Sequence, residues 1–227
     1  MTGNKRQKII EIANQLVKCD YKCKGVINDK ARGIVPRGLI YEYEGRENKK
    51  PGVIIIGINP GKSKQDERDF YQNNNQGHDS CYKIWKDHNF QYHKKTREIL
   101  TELGFKGDIV WTDLAKCECN NRKGVPLQTL RVCIDHFLEK EIRVIGRNFT
   151  IIALGNTAFN FCALRFPKRL VIGLPHPTGA WALFNKLRRD VKLNKLKYLK
   201  ILKKCKAPGF YEAIKLSDWP KGDKNII

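Results

Sequence analysis

Two short segments carry side chains whose type and setting could do chemistry. One is Gly57-Ile58-Asn59-Pro60-Gly61-Lys62-Ser63, the other Leu174-Pro175-His176-Pro177-Thr178-Gly179. The first invites comparison with a phosphate-binding loop. That loop needs a glycine five positions before Gly61, where Ile56 stands, so the turn is too short to curl its amides round a phosphate. A tight turn built from Asn, Pro and Gly is the plain reading. In the second segment His176 lies between two prolines, which hold the backbone extended and rigid. Such a side chain is pre-aimed, as a catalytic electrophile must be; a structural histidine is the alternative. Eight cysteines add a third chemistry: Cys19, Cys23, Cys81, Cys117, Cys119, Cys133, Cys162 and Cys205. In a reducing compartment these are thiols or metal ligands rather than disulfides. Cys162, within AFNFCALRF, reads as core, and Cys205 follows two lysines with no evident partner.

Rigid elements must position these groups. Val53–Ile58 and Thr150–Leu154 are continuous apolar runs ending in glycine-containing turns, which suits strands buried on both faces. Asp108–Thr112 and Leu170–Ile172 read as two more. Helical patterns cover Lys94–Leu103, roughly Leu127–Lys140, and Thr157–Leu164. The amino-terminal MTGNKRQKIIEIANQLVK reads as an amphipathic helix, not a signal peptide. Lys186–Lys206 reads as one long basic helix with a solvated face, and the polar stretch Lys62–Gln76 as a loop. Alternating strands and helices predict an α/β three-layer sandwich around a central, mostly parallel four-stranded sheet. In such sheets chemistry lies at the carboxyl ends of the strands. Both candidate segments fall there.

The chain has 227 residues, too few to expect two ordinary domains, so 1–227 is read as one domain with a basic helical extension from about residue 186. Forty-four Lys and Arg stand against 23 Asp and Glu, a formal net charge of +21. An excess of that size predicts a polyanionic partner. No stretch approaches the length of a membrane-spanning helix. With no targeting segment in view, the expectation is a cytoplasmic protein.

GINPG after an early buried strand and HPTG after a late one resemble the two active-site motifs of the uracil-DNA glycosylase superfamily. GINPG matches its mismatch-specific branch, and GNTAFNF looks like the strand-turn-helix that precedes the second motif. The resemblance spans roughly Cys19 to Trp181. It implies a monofunctional DNA glycosylase that flips a damaged, deaminated base out of DNA and hydrolyses its N-glycosidic bond. By this resemblance Gly57 borders the bound base, Asn59 holds the attacking water, and His176 stabilises charge gathering on the base. A ring about a dozen residues beyond Asn59 stacks on the base, which points to Tyr71, with Phe70 beside it. Trp181, just beyond HPTG, stands where relatives place an intercalating wedge.

The segment KCECNNRKGVPLQTLRVCIDHF is similar to the cysteine, asparagine-arginine, helix, cysteine segment of the iron-sulfur family 4 branch. The resemblance implies a structural [4Fe–4S] cluster on Cys19, Cys23, Cys117 and Cys133, tying the amino-terminal segment to the Cys117–Cys133 unit. Zinc uses the same ligands, Cys119 could replace Cys117, and Cys19 and Cys23 are one residue further apart than the family's usual pair. Asp113 in WTDLAKC stands where family 4 has an asparagine that reads the uracil edge. An ionised carboxylate accepts but cannot donate, so the target base stays open. The implied partner is lesion-containing DNA, single- or double-stranded, with no membrane and no obligate protein partner. A non-catalytic iron-sulfur protein that binds nucleic acid is the alternative.

Overall fold

The computed structural model describes residues 2–42, 52–73, 91–119, 124–205 and 213–216. Helix α1 (Thr2–Val17) is followed by a short strand β1 (Val26–Ile27) and a 3-10 turn at Lys30–Arg32. Then come β2 (Ile40–Glu42), β3 (Val53–Gly57), α2 (Gln65–Asn73), α3 (Gln91–Glu102), β4 (Ile109–Asp113) and β5 (Glu118–Cys119). Helices α4 (Leu127–Cys133) and α5 (Glu139–Ile145) are joined by a π-helical turn, Ile134–Leu138. The chain continues through β6 (Thr150–Leu154), α6 (Asn156–Arg165), β7 (Val171–Leu174), α7 (Trp181–Leu193), α8 (Lys195–Cys205) and β8 (Ala213–Lys215).

The main sheet is six-stranded, in the order β2-β4-β3-β6-β7-β8, with all neighbours parallel except β2 against β4. The four strands expected from sequence form its centre. The structure corrects their number by adding an edge strand at each side. Ile54, Ile56, Ile151 and Ala153 point to one face, where α1, the α4–α5 stretch and α6 pack. Val53, Ile55, Ile152 and Leu154 point to the other, against α3, α7 and α8. Period-two alternation within wholly apolar strands therefore makes the three layers.

Two further expectations change. The expected loop Lys62–Gln76 contains α2, whose first turn holds Asp66 and Glu67, charges that favour a helix amino terminus. The part of that stretch beyond Asn73 lies outside the described residues. The expected single basic helix is two, broken at Asn194, whose amide donates to Asp190. Nor are they simply solvated: Phe184, Leu187, Val191, Tyr198 and Leu202 are buried against the sheet. Among the described residues no helix is long and apolar enough to cross a membrane.

Candidate active site

Four parallel strands, β4, β3, β6 and β7, end on the same side of the sheet, and their last residues lie along one edge of it. β3 and β4 pair in register so that Gly57 stands opposite Asp113. β6 and β7 pair Leu154 with Leu174, and Gly155 donates its N–H to the Leu174 carbonyl at 2.8 Å. The chain order puts β4 on one side of β3 and β6 on the other. The crevice lies at this reversal, where open α/β sheets bind ligands.

Asp113 is wedged between two glycines. A Cβ on Gly57 would lie 2.3 Å from its Oδ1, and a Cβ on Gly38 would lie 2.8 Å from its Oδ2. Gly38 also has φ +108, a conformation that other residues adopt with strain. No hydrogen bond to the Asp113 carboxyl is made among the described residues. Burial raises its pKa to about 7; Lys116 and Arg37 oppose the rise and Glu141 adds to it. Lys116 and Glu141 form a buried ion pair at 2.8 Å beneath it, and Thr112 donates to the same Glu141 oxygen at 2.6 Å.

His176 has a fixed proton arrangement. Its Nδ1 accepts the backbone N–H of Gly179 at 3.0 Å and of Thr178 at 3.3 Å, with the Thr178 hydroxyl at 3.1 Å. A nitrogen that accepts from backbone amides carries no proton, so in the neutral ring the proton sits on Nε2. Burial lowers the pKa of the imidazole. At neutral pH it is an uncharged donor. The two flanking prolines set the backbone, and the Thr178–Gly179 turn sets the tautomer.

Asn59 sits just beyond β3, partly buried, and its Nδ2 donates to the Pro60 carbonyl at 2.9 Å. That bond uses one of the two amide hydrogens, and Oδ1 is an acceptor. The turn is held to the β4 side as well: Leu114 N–H reaches the Gly57 carbonyl at 3.0 Å and Ala115 N–H the Ile58 carbonyl at 2.8 Å.

Residues 44–202, most of the chain, match the uracil DNA glycosylase superfamily, a span that takes in Gly57, Asn59, Asp113 and His176 but not Gly38. The chain belongs to that superfamily. No curated protein matches it.

A ring that sequence reasoning missed stands beside His176 and Gly57. Tyr92, near the start of α3, lies 5.7 Å from the His176 ring and 6.0 Å from Trp111, centroid to centroid. Its hydroxyl would be 3.6 Å from a Cβ on Gly57. Burial and the Asp113 charge raise its pKa well above the ordinary phenol value. His93, edge-on to Trp111 at 4.6 Å, backs this wall, its pKa lowered by burial to about 3. Tyr71 stands elsewhere: it is buried against Val17 and Val35, with Phe70 edge-on at 5.2 Å, in a different apolar cluster. An apolar position on α3 starting two residues earlier than the Lys94 boundary was the available signal for Tyr92. Trp181 is 59% exposed at the first position of α7, with the Lys95 ammonium 5.7 Å from its ring centre. It forms a rim rather than a wall.

The superfamily match begins beyond Cys19 and Cys23, yet the fold brings this segment to the glycosylase-like core. β1 pairs antiparallel with β5, Val26 opposite Cys119. Thr129 on α4 donates to the Lys24 carbonyl at 2.8 Å, and Asn28 to that of Cys19 at 2.9 Å. Cys19, Cys23, Cys117 and Cys133 thereby become electrostatic neighbours. Burial, then Cys133, Cys19 and Cys23, push the Cys117 thiol up. Burial raises Cys19 and Cys23 as well, each also feeling Cys133. The four sulfurs are gathered rather than closed. Among the described residues no three His, Cys, Asp or Glu side chains form a ready coordination group. Cys81 lies outside the described residues, and Cys162 and Cys205 are buried in the two faces of the core.

Proposed function

We propose that the protein is a monofunctional DNA glycosylase that extrudes a damaged base from DNA and hydrolyses its N-glycosidic bond. The observation that carries this reading is the hydrogen bonding of His176, whose Nδ1 accepts from the Thr178–Gly179 turn and leaves a neutral Nε2–H as the donor, beside the Tyr92 ring that also approaches Gly57. A stacked base hides its glycosidic bond, so the nucleotide must leave the helix before reaction. As the bond breaks, positive charge grows on the sugar and negative charge on the departing base. An Nε2–H placed beforehand meets that negative charge without reorganising. Asn59, whose amide oxygen is an acceptor, would hold a water at the sugar; an amide places water but does not deprotonate it.

Tyr92 would be the stacking surface, since every base offers a π-face. Trp181 would enter the gap left in the helix, and the lysines and arginines of α7 and α8 would meet phosphates. Protonated Asp113 donates and accepts, the pattern an asparagine amide offers to O4 and N3–H of uracil. Ionised, it only accepts.

Cys19, Cys23, Cys117 and Cys133 would hold a structural metal centre. Four thiolates are the ordinary set for a [4Fe–4S] cluster, with zinc the alternative. Crowding four thiols is costly once they ionise, and a bound cation is what would stabilise the thiolates. No step of the hydrolysis needs it.

Release of free base from duplexes carrying uracil, hypoxanthine, xanthine or mismatched thymine tests the proposal under single-turnover conditions. Release from at least one lesion, lost in Asn59→Ala and His176→Ala, is the expected result. Tight binding with no release from any of them would leave a protein that recognises nucleic acid without cutting it.

A further inference from the structure

We infer that Arg37 and Glu118 are positioning residues that hold the Asn59 turn in place through a buried charge network, so that water placement depends on the cysteine-bearing segment. The inference rests on the glycosylase reading above.

Arg37 is almost wholly buried, with 6% of its side chain exposed, and its guanidinium meets the turn, α2 and β5, with Nη1 also donating to the Val35 carbonyl at 3.5 Å. Nη2 donates to the Gly61 carbonyl at 2.6 Å and meets Glu118 Oε1 at 3.0 Å; Nε meets Glu67 Oε1 at 2.7 Å. The same Glu118 oxygen accepts the N–H of Ser63 at 2.7 Å, and Glu118 itself is 3% exposed. Arg68 Nε then donates to the Ser63 hydroxyl at 2.8 Å. Gly61 and Ser63 belong to the turn that begins at Gly57. One main-chain acceptor and one main-chain donor beyond Asn59 are thus gripped by charged groups from outside the turn.

The other end of the clamp is anchored. The Arg37 N–H donates to the Lys116 carbonyl at 2.7 Å, and Glu118 lies between Cys117 and Cys119 on β5. Gly38, the next residue, is one of the two glycines beside Asp113. The dipeptide Arg37-Gly38 therefore touches both halves of the pocket: its side chain holds the water turn, and its backbone borders the base-reading carboxyl.

A planar guanidinium with several donors in a fixed fork sets geometry in a way an ammonium cannot. Carboxylates on two different elements fix the guanidinium in turn. Stability alone would not require such an arrangement, because buried ion pairs are seldom better than apolar packing. Its particular product is a turn with little freedom. Displacing a catalytic group by about 1 Å from a remote site can cost on the order of a hundredfold in rate.

The test compares Arg37→Lys, Glu118→Gln and the milder Glu67→Gln with the unaltered protein. Single-turnover base release at saturating DNA, DNA affinity, thermal melting and amide hydrogen exchange at Ser63 are measured for each. A ten- to hundredfold slower release is expected for Arg37→Lys and Glu118→Gln, with affinity within about twofold and faster exchange at Ser63. Glu67→Gln, whose amide still accepts from Arg37, should show a smaller loss in the same direction. Normal release by every variant that folds overturns the inference, as does loss that tracks only the unfolded fraction on melting. If Arg37→Lys or Glu118→Gln fails to fold, Glu67→Gln decides: unchanged release and unchanged Ser63 exchange overturn it. Absence of release by the unaltered protein sinks the glycosylase reading itself, whereas Ser63 exchange still reports on the clamp.

Discussion

A methyl group on Gly57 would stand 2.3 Å from Oδ1 of Asp113, its in-register partner on the neighbouring strand. The carboxyl can reach its place only because the facing residue has no side chain. Gly57→Ala should therefore displace Asp113, slow base release on the order of a hundredfold, and destabilise the fold by about 1–3 kcal/mol through overpacking. Single-turnover kinetics and thermal melting check both. A variant with unaltered rate and melting temperature would mean that the Asp113 carboxyl moves aside without consequence.

Asp113 carries the pH dependence. Its folded pKa is raised to about 7 from 3.8, so below neutrality it is protonated and can donate. Uracil release by the unaltered protein should decline as pH rises through about 7, while Asp113→Asn should hold its rate. The same shift acts on stability. The folded state binds this proton more tightly than the unfolded chain, so the contribution is full below about 3.8 and lost as pH rises through about 7. Melting temperature relative to Asp113→Asn should fall across that window. Parallel pH profiles for the two proteins would place the carboxyl outside base recognition.

His176 should be neutral and protonated on Nε2 at pH 7. Nitrogen-15 spectra of the ring check this directly, by distinguishing the two tautomers. His176→Ala should slow release by about 100- to 1,000-fold, the cost of removing one preplaced donor, with little change in DNA affinity. A cationic ring at pH 7, or a proton on Nδ1, would contradict the bonds from Thr178 and Gly179.

The thiol group gives a prediction independent of activity. Protein prepared without oxygen should carry roughly four irons per chain if the centre is of the [4Fe–4S] type. Cys133→Ala should lose the metal and melt lower, and Cys117→Ala likewise; Cys119→Ala and Cys205→Ala should keep it. Stoichiometric zinc in metal analysis would replace the cluster by a zinc site on the same sulfurs.

β3 and β6 were legible because apolar residues run through their middles without interruption, as suits strands buried on both faces, whereas β4, ending in Thr112 and Asp113, and β7, with Gly173, offered only shorter runs. Both candidate turns follow the ends of strands read from the sequence, β3 and β7. Edge strands β2 and β8 were not legible: three residues each, they owe their shape to pairing with a neighbour rather than to their own pattern. Helix α2 was hidden for a related reason, since QDERDFYQN offers only Phe70 and Tyr71 to packing. Its distance along the chain from Asn59 drew the stacking role to Tyr71, while the ring that meets His176 lies on α3. Arg37 gave no signal at all. A lone arginine in GIVPRGLI acquires meaning only when folding brings Glu67, Glu118 and Gly61 to it.

The parallel order of the strands has a consequence for how the protein comes into being. Asp113 ends β4, Asn59 lies two residues beyond β3 and His176 two beyond β7, and helical segments intervene between these strands. No local stretch of chain contains a working fraction of the pocket. Closing such distant pairings is the slow part of folding. A nascent or refolding chain can thus be helical before the three strand ends have met, and a fragment ending before β7 lacks His176 altogether. Any joint work of the three side chains is open only to a chain made through β7 and His176.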